Sequence, residues 1–294
     1  MFNYPDLTGR VAIVTGASRG VGKVVATSLA KAGCDVCVAA KSMESKPELP
    51  GSIIHTRDEV IELGRRSIAV QTDVRFEDQI ESMVSRTVEE LGRVDILVNN
   101  AGALWWKNLE DTPANRFDLV MNVNARASFL TAQYCLPHMR KNSWGHIINM
   151  SPPVELGMVP GKIAYCISKF GMTLVAHGLA TELKGQNIAA NALWPATVIE
   201  SQASINFGLG GPKYWRKPEI LADAVMAIVS QTPEDFTGQA LIDEQVLEHV
   251  GVQDFSSYLC EPGGEPIRIV GDAAVASRFG TGAGGRDKAK AELP

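Results

Sequence analysis

The sequence predicts a doubly wound α/β fold, a mostly parallel sheet with helices on both faces, in a single domain. Three observations predict it. Short β-branched apolar runs alternate with longer stretches of helical period through most of the chain. Those runs are apolar on both faces, as strands covered from two sides must be. The 294 residues are 45% hydrophobic and 21% charged, enough to build one large core.

In order, the expected strands are Val11 to Val14, Val36 to Ala40, Ile68 to Val70, Ile96 to Val98, Ile147 to Met150 and Ile188 to Leu193. Helical patterns fill the gaps: Gly20 to Lys31, Thr56 to Leu63, Glu77 to Leu91, Arg116 to Met139, Ala164 to Leu183 and Ile220 to Ser230. Asp111-Thr112-Pro113 supplies a start signal for the fourth helix, whose length suits a central position along the sheet. Glu200 to Pro218, with Gly208-Leu209-Gly210-Gly211-Pro212, reads as a mobile connection of the kind that covers sites. Beyond Asp243 the alternation fades, so residues 244–278 read as an extension of the 1–278 domain. Residues 279–294, glycine-rich and then alternating Lys, Ala and Glu, read as a disordered tail.

Composition excludes several function classes. A net charge of −5 without a basic run leaves no nucleic-acid footprint and no polybasic membrane patch. The expected partner is a small molecule. Five scattered cysteines do not form a disulfide framework and fit a reducing compartment. Cys34-Asp35-Val36-Cys37 has redox spacing, but it runs into an apolar strand, where a structural role is expected. The five histidines show no ligand spacing, so no metal site is predicted. The N-terminus has no basic and then apolar leader, and no apolar run reaches ~18 residues. A cytoplasmic protein is expected.

Tyr165 and Lys169 carry the chemistry. Four residues apart on a predicted helix, they share one face, and a nearby cation brings a phenol of ordinary pKa ~10 toward working pH. Upstream, Thr15-Gly16-Ala17-Ser18-Arg19-Gly20-Val21-Gly22 follows the first strand and opens the first helix. This is the context in which glycines let backbone N–H groups approach a pyrophosphate. At the end of the second strand stands Ala39-Ala40-Lys41, with no carboxylate to bind a ribose 2′-hydroxyl. Arg19 and Lys41 suit a 2′-phosphate, so NADP is favoured over NAD. Asp73 and Asn99-Asn100-Ala101-Gly102 follow two further strands, at the ends where such sheets bind ligands.

Taken together, the glycine turn, Asn99 to Gly102, Asn122-Val123-Asn124, the Ser151 region and Tyr165-x-x-x-Lys169 resemble the short-chain dehydrogenase/reductase family in order and spacing, over about residues 7–243. The resemblance implies a Rossmann-type, mostly parallel sheet of seven strands. It implies that Tyr165 exchanges a proton with the substrate oxygen, and that Lys169 binds the nicotinamide ribose and lowers the Tyr165 pKa. Asn124 then holds a water in a proton relay to Lys169. Gly16 to Gly22, Lys41, Asp73 and Asn100 bind NADP, with Val198 near the carboxamide. It further implies a homodimer or homotetramer paired through the helices at Arg116 to Met139 and Ala164 to Leu183.

Two departures stand out. The family's serine lies thirteen residues before the tyrosine, where this chain has Pro152; the neighbouring Ser151 is the candidate in its place. At Pro195-Ala196-Thr197-Val198 an alanine follows the proline where the family commonly has glycine. Trp105, Trp106, Trp194, Tyr214 and Trp215 fall on segments expected near the substrate. The expected reaction is hydride transfer between NADP and a carbonyl or alcohol of an apolar, lipid-like or acyl substrate. A catalytically weak NADP-binding sensor or scaffold, and an enoyl-thioester reductase, are the alternatives.

Overall fold

Alternation along the strands divides the core in two. In β1 (Val11–Thr15), Ala12 and Val14 face one side of the sheet, while Val11 and Ile13 face the other. Because successive side chains point to opposite faces, each run of apolar residues feeds both layers at once. The computed structural model describes residues 3–47 and 49–270. The expected tail at 279–294, and residues 271–278 of the expected extension, lie outside them.

The sheet has seven strands in the order β3-β2-β1-β4-β5-β6-β7, and every pairing is parallel. The strands after β1 are β2 (Asp35–Ala40), β3 (Ser67–Gln71), β4 (Ile96–Asn99), β5 (Gly145–Met150), β6 (Ile188–Trp194) and β7 (Ala240–Ile242). The chain winds outward from β1 to β3, then returns to place β4 on the other side of β1. That reversal opens a crevice beyond the carboxyl ends of β1 and β4.

On one face lie α1 (Gly20–Lys31) and α8 (Glu219–Val229), together with α2 (Ile53–Glu62). The other face packs α3 (Glu77–Leu91) and α5 (Ala127–Asn142) through Ile80, Met83, Leu130 and Met139. The Ser52 hydroxyl caps α2 by accepting the His55 N–H at 3.1 Å. Helix α3 stops at Gly92, whose φ of 94° is a left-handed cap. At the amino ends of the strands, fully buried Asp95 accepts hydrogen bonds from Arg93, Arg10 and the Val11 N–H. The opposite ends are left for ligand.

Several elements differ from expectation. The helix expected at Arg116 to Met139 begins as α4 (Ala114–Val120), widens into a π-helical segment at Met121–Arg126, and continues as α5. The strand β7 is only three residues long, too short to stand out as an apolar run. The connection Glu200 to Pro218 carries α7 (Gln202–Asn206) and a 3-10 turn at Pro212–Tyr214, and the Arg216 N–H bonds to the Val198 carbonyl. After β7 come α9 (Asp243–His249) and an extended stretch in which the backbone of 267–269 bonds to 196–198. Cys34 and Cys37 pack into opposite layers of the core, so the redox reading of that spacing has no structural basis. Burial pushes the Cys37 thiol up to about 12. Helix α6 (Ile163–Glu182) is long and apolar enough to cross a membrane, but it packs here on β5 and β6.

Candidate active site

At the crevice, β1 and β4 are locked together. Thr15 Oγ1 accepts the N–H groups of Asn100 and Ala101, each at 3.1 Å, and Asn100 Nδ2 donates to the carbonyls of Thr15 and Gly16 at 3.0 and 3.2 Å. The turn needs glycine at two places. Gly16 has φ +67°, and a Cβ there would stand 2.8 Å from Ala101 Cα; a Cβ on Gly22 would stand 2.4 Å from the Gly16 carbonyl oxygen. Helix α1 then begins with no side-chain cap and no acidic residue in its first turn, so its free N–H groups and positive dipole end suit a phosphate.

A cavity of about 570 Å³ opens there. Gly16, residues 18–22 and Asn100 line it, whereas Thr15 and Ala17 support the turn from behind; the Ala17 N–H bonds to the Ala39 carbonyl at 3.2 Å. Lys41 and Arg19 both line the cavity at the end of β2. Arg19 is tethered by the carbonyls of Pro50 (2.8 Å) and Gly51 (2.9 Å), with the Ser42 hydroxyl at 3.2 Å. Ser42, whose hydroxyl accepts that bond, also lines the cavity and is a residue that sequence reasoning missed. Asp73 also lines the cavity, but Arg75 grips its carboxylate through both oxygens and holds it below the usual carboxylate range.

Tyr165 and Lys169, one helical turn apart on α6, also line the cavity. Lys169 Nζ donates to the Met150 carbonyl at 2.7 Å and lies 5.3 Å from the Trp194 ring. Burial, with no acid nearby, lowers the Lys169 ammonium to about 7. Burial pushes the Tyr165 phenol well above its ordinary value. The lowering expected from Lys169 is not seen: the ammonium is turned to Met150, and desolvation of the phenol dominates.

Asn124 sits in the π-helical segment, which turns its amide inward. Its Oδ1 accepts the Ala103 N–H at 2.8 Å, and its Nδ2 donates to the Ala103 carbonyl at 3.0 Å and to Ser168 Oγ at 2.8 Å. Asn124 and Lys169 flank Gly102, where a Cβ would lie 3.6 Å from Asn124 Oδ1 and 3.7 Å from Lys169 Nζ.

The structure places Ser151 elsewhere. Its hydroxyl is fully buried, shares a 2.9 Å hydrogen bond with Thr173 on α6, and does not line the cavity. The aromatic residues divide as well. Trp106 and Trp194 line the cavity, and Trp106 meets the Tyr165 ring edge-on at 5.9 Å and Phe207 at 5.2 Å. Trp105 instead bonds to Thr112 and stacks with Arg116, Trp215 donates to the Leu209 carbonyl, and Tyr214 is exposed. Val198 lines the cavity, as does Ile269 from the C-terminal stretch, for which the sequence offered no signal.

This sheet and site define the short-chain dehydrogenase/reductase class, and residues 10–206 match the family model described as short chain dehydrogenase. The chain belongs to that family. Hydroxysteroid dehydrogenase-like protein 2 of Xenopus tropicalis is 42% identical over 264 residues, which cover 89% of this chain and 63% of that protein. Its Homo sapiens counterpart is 42% identical over 266 residues, with the same coverage. The chain thus spans less than two thirds of the length of these relatives. Among solved structures, a short chain dehydrogenase of Mycobacterium thermoresistibile superposes with a TM-score of 0.83 at 38% identity, covering 89% of this chain and 94% of that one. A metagenomic short-chain oxidoreductase in complex with NADP superposes with a TM-score of 0.68 at 27% identity, covering 81% and 97%.

Proposed function

We propose that the protein is an NADP-dependent oxidoreductase that transfers hydride between nicotinamide and a carbonyl or alcohol of an apolar, lipid-like or acyl substrate. The observation that carries this reading is the position of Tyr165 and Lys169 on the wall of the cavity that begins at the uncapped end of α1. The residues fit the cofactor. Glycines permit close backbone approach, Lys41 and Arg19 bring positive charge to the end of β2, and Ala40, Lys41 and Ser42, which line the cavity there, include no carboxylate to oppose a 2′-phosphate. The NADP complex of the metagenomic relative supports NADP over NAD.

When bound, the nicotinamide supplies or takes the hydride. The rest falls to this chain. Reduction of a carbonyl leaves an alkoxide that needs a proton, and the Tyr165 phenol on the cavity wall is the group that would give it. Lys169 would hold the nicotinamide ribose, and Asn124, through a water, would link Lys169 to a relay that returns the proton to the phenol. Trp106, Leu209 and Ile269 offer an apolar wall to the substrate. The test is NADPH oxidation by purified protein over a panel of ketones, aldehydes and acyl thioesters. Turnover should be lost in Tyr165→Phe, and turnover that survives that change rules out the assigned chemistry.

The position of Ser151 outside the cavity favours one second reading, a cofactor-binding sensor or scaffold with weak catalysis. It predicts tight NADPH binding and no oxidation across the panel. Phe129 on α5 and Ile167 and Leu174 on α6 are exposed apolar side chains, which supports assembly of two or four copies through those helices.

A further inference from the structure

The segment Pro195–Ile199 forms the cavity wall beside Trp194, and it is pinned from three directions. Along one edge, the Ile269 N–H donates to the Ala196 carbonyl and the Val198 N–H donates to the Ile267 carbonyl, both at 2.9 Å. Along the other edge, the Arg216 N–H donates to the Val198 carbonyl at 3.0 Å. From beneath comes Asp243, at the end of β7 and fully buried. Its Oδ1 accepts the N–H groups of Ala196 at 2.8 Å and Glu244 at 2.7 Å.

The Ala196 N–H has Asp243 as its one acceptor among the described residues. Proline at 195 has no N–H, so Ala196 carries the first donor after the strand, and that donor would be buried and unsatisfied without Asp243. The cost of burying this carboxyl is visible in its other oxygen: Oδ2 has no hydrogen-bond partner among the described residues. The oxygen that is bonded ties the end of β7 to the Ala196 amide. What it holds is the stretch after β6, the third strand from β1 in the sheet order, whose Pro195, Val198 and Ile199 line the cavity; Trp194, just before it, lies 5.3 Å from Lys169 Nζ.

We infer that Asp243 is a positioning residue for the nicotinamide half of the cofactor, acting through the Ala196 amide to set the Pro195–Ile199 wall. This rests on the proposed function. It goes beyond it by assigning a role to a side chain that touches neither substrate nor cofactor. It also makes the C-terminal stretch 267–269 part of the cofactor site, because the same wall is clamped between that stretch and Asp243.

The test compares NADPH with adenosine 2′,5′-bisphosphate, which carries only the adenine and 2′-phosphate half. Dissociation constants are measured by titration on wild-type protein, Asp243→Ala and Asp243→Asn. Asp243→Ala is expected to weaken NADPH binding by about 5- to 100-fold, the loss of one buried hydrogen bond, and to leave the fragment within about twofold, as binding at the unaltered phosphate turn requires. Asp243→Asn keeps the acceptor and is expected to restore NADPH binding. Equal weakening of both ligands, unchanged NADPH binding in Asp243→Ala, or no rescue by asparagine overturns the inference. If Asp243→Ala does not fold, hydrogen exchange of the Ala196 amide in wild-type protein decides: slowing by NADPH but not by the fragment supports the inference, and equal slowing overturns it. Wild-type protein that binds neither NADPH nor NADH overturns the proposed function itself, and this inference with it.

Discussion

Thr173 on α6 holds the Ser151 hydroxyl at 2.9 Å, and Thr173 Oγ1 also donates to the Pro152 carbonyl at 2.6 Å. The proline displaces the serine by one residue along a strand end, and one residue is enough to turn a side chain to the opposite face. A donor to a developing oxyanion is worth about 10²- to 10³-fold in kcat. Ser151→Ala should therefore change kcat by less than about threefold, far below that benchmark, in steady-state assays with any substrate found. A hundredfold loss would place the hydroxyl at the reacting carbon after all.

Tyr165 is the only phenol on the cavity wall among the described residues. Tyr165→Phe keeps the ring, its edge contact with Trp106 and the fold, while removing the proton. We expect kcat to fall by about 10²- to 10⁴-fold, with NADPH affinity nearly unchanged. Parallel titration and turnover measurements check both halves of that statement.

Two buried groups give the free protein opposing pH dependences. Asp243 is raised to about 7 by burial, offset in part by its two backbone donors and by Arg216; Glu244 and, more distantly, Tyr258 also face it. Its folded pKa lies above the unfolded one, so its contribution is full below pH ~4 and is lost as pH rises to about 7. Lys169, facing the Met150 carbonyl, Met172 Sδ and the Trp194 ring, is lowered to about 7 by burial. Its contribution is full above pH ~10 and is lost as pH falls to about 7. Each slope is about 1.4 kcal/mol per pH unit. Denaturant titrations between pH 5 and 9.5 should show the acid-side decline flattened in Asp243→Asn and the alkaline rise flattened in Lys169→Met.

Cofactor choice follows from the end of β2. Lys41→Asp places a carboxylate where a 2′-phosphate would sit and offers an acceptor to a free ribose hydroxyl. The ratio of NADPH to NADH affinity should fall by at least about tenfold, the scale of one charge-assisted pair. Competitive titration of the two cofactors reads it directly, and an unchanged ratio would remove Lys41 from the assignment.

Leu174 is 62% exposed in the middle of α6. If copies assemble through α5 and α6, Leu174→Glu buries a charge at the contact and should shift sedimentation toward monomer without loss of helix content. A wild-type protein that sediments only as a monomer would exclude the assembly outright.

The doubly wound sheet was legible from the chain alone, because strands apolar on both faces have no stable alternative to cover from two sides. So were the two features that depend only on neighbours in the chain: the glycine turn opening α1, and the pairing of Tyr165 with Lys169 one helical turn apart. The rest depends on partners distant in the chain. Ser151 faces Thr173 rather than the cavity; Trp106 enters the site while Trp105 leaves it. The π-helical turn at Met121–Arg126 aims Asn124 at Ala103 and Ser168, and Asp243 reaches back 47 residues to the Ala196 amide. Periodicity reports which face of an element is apolar. It does not report where a polar side chain buried in that face finds its hydrogen bond, as Ser151 does on Thr173 and Asp243 on the Ala196 amide.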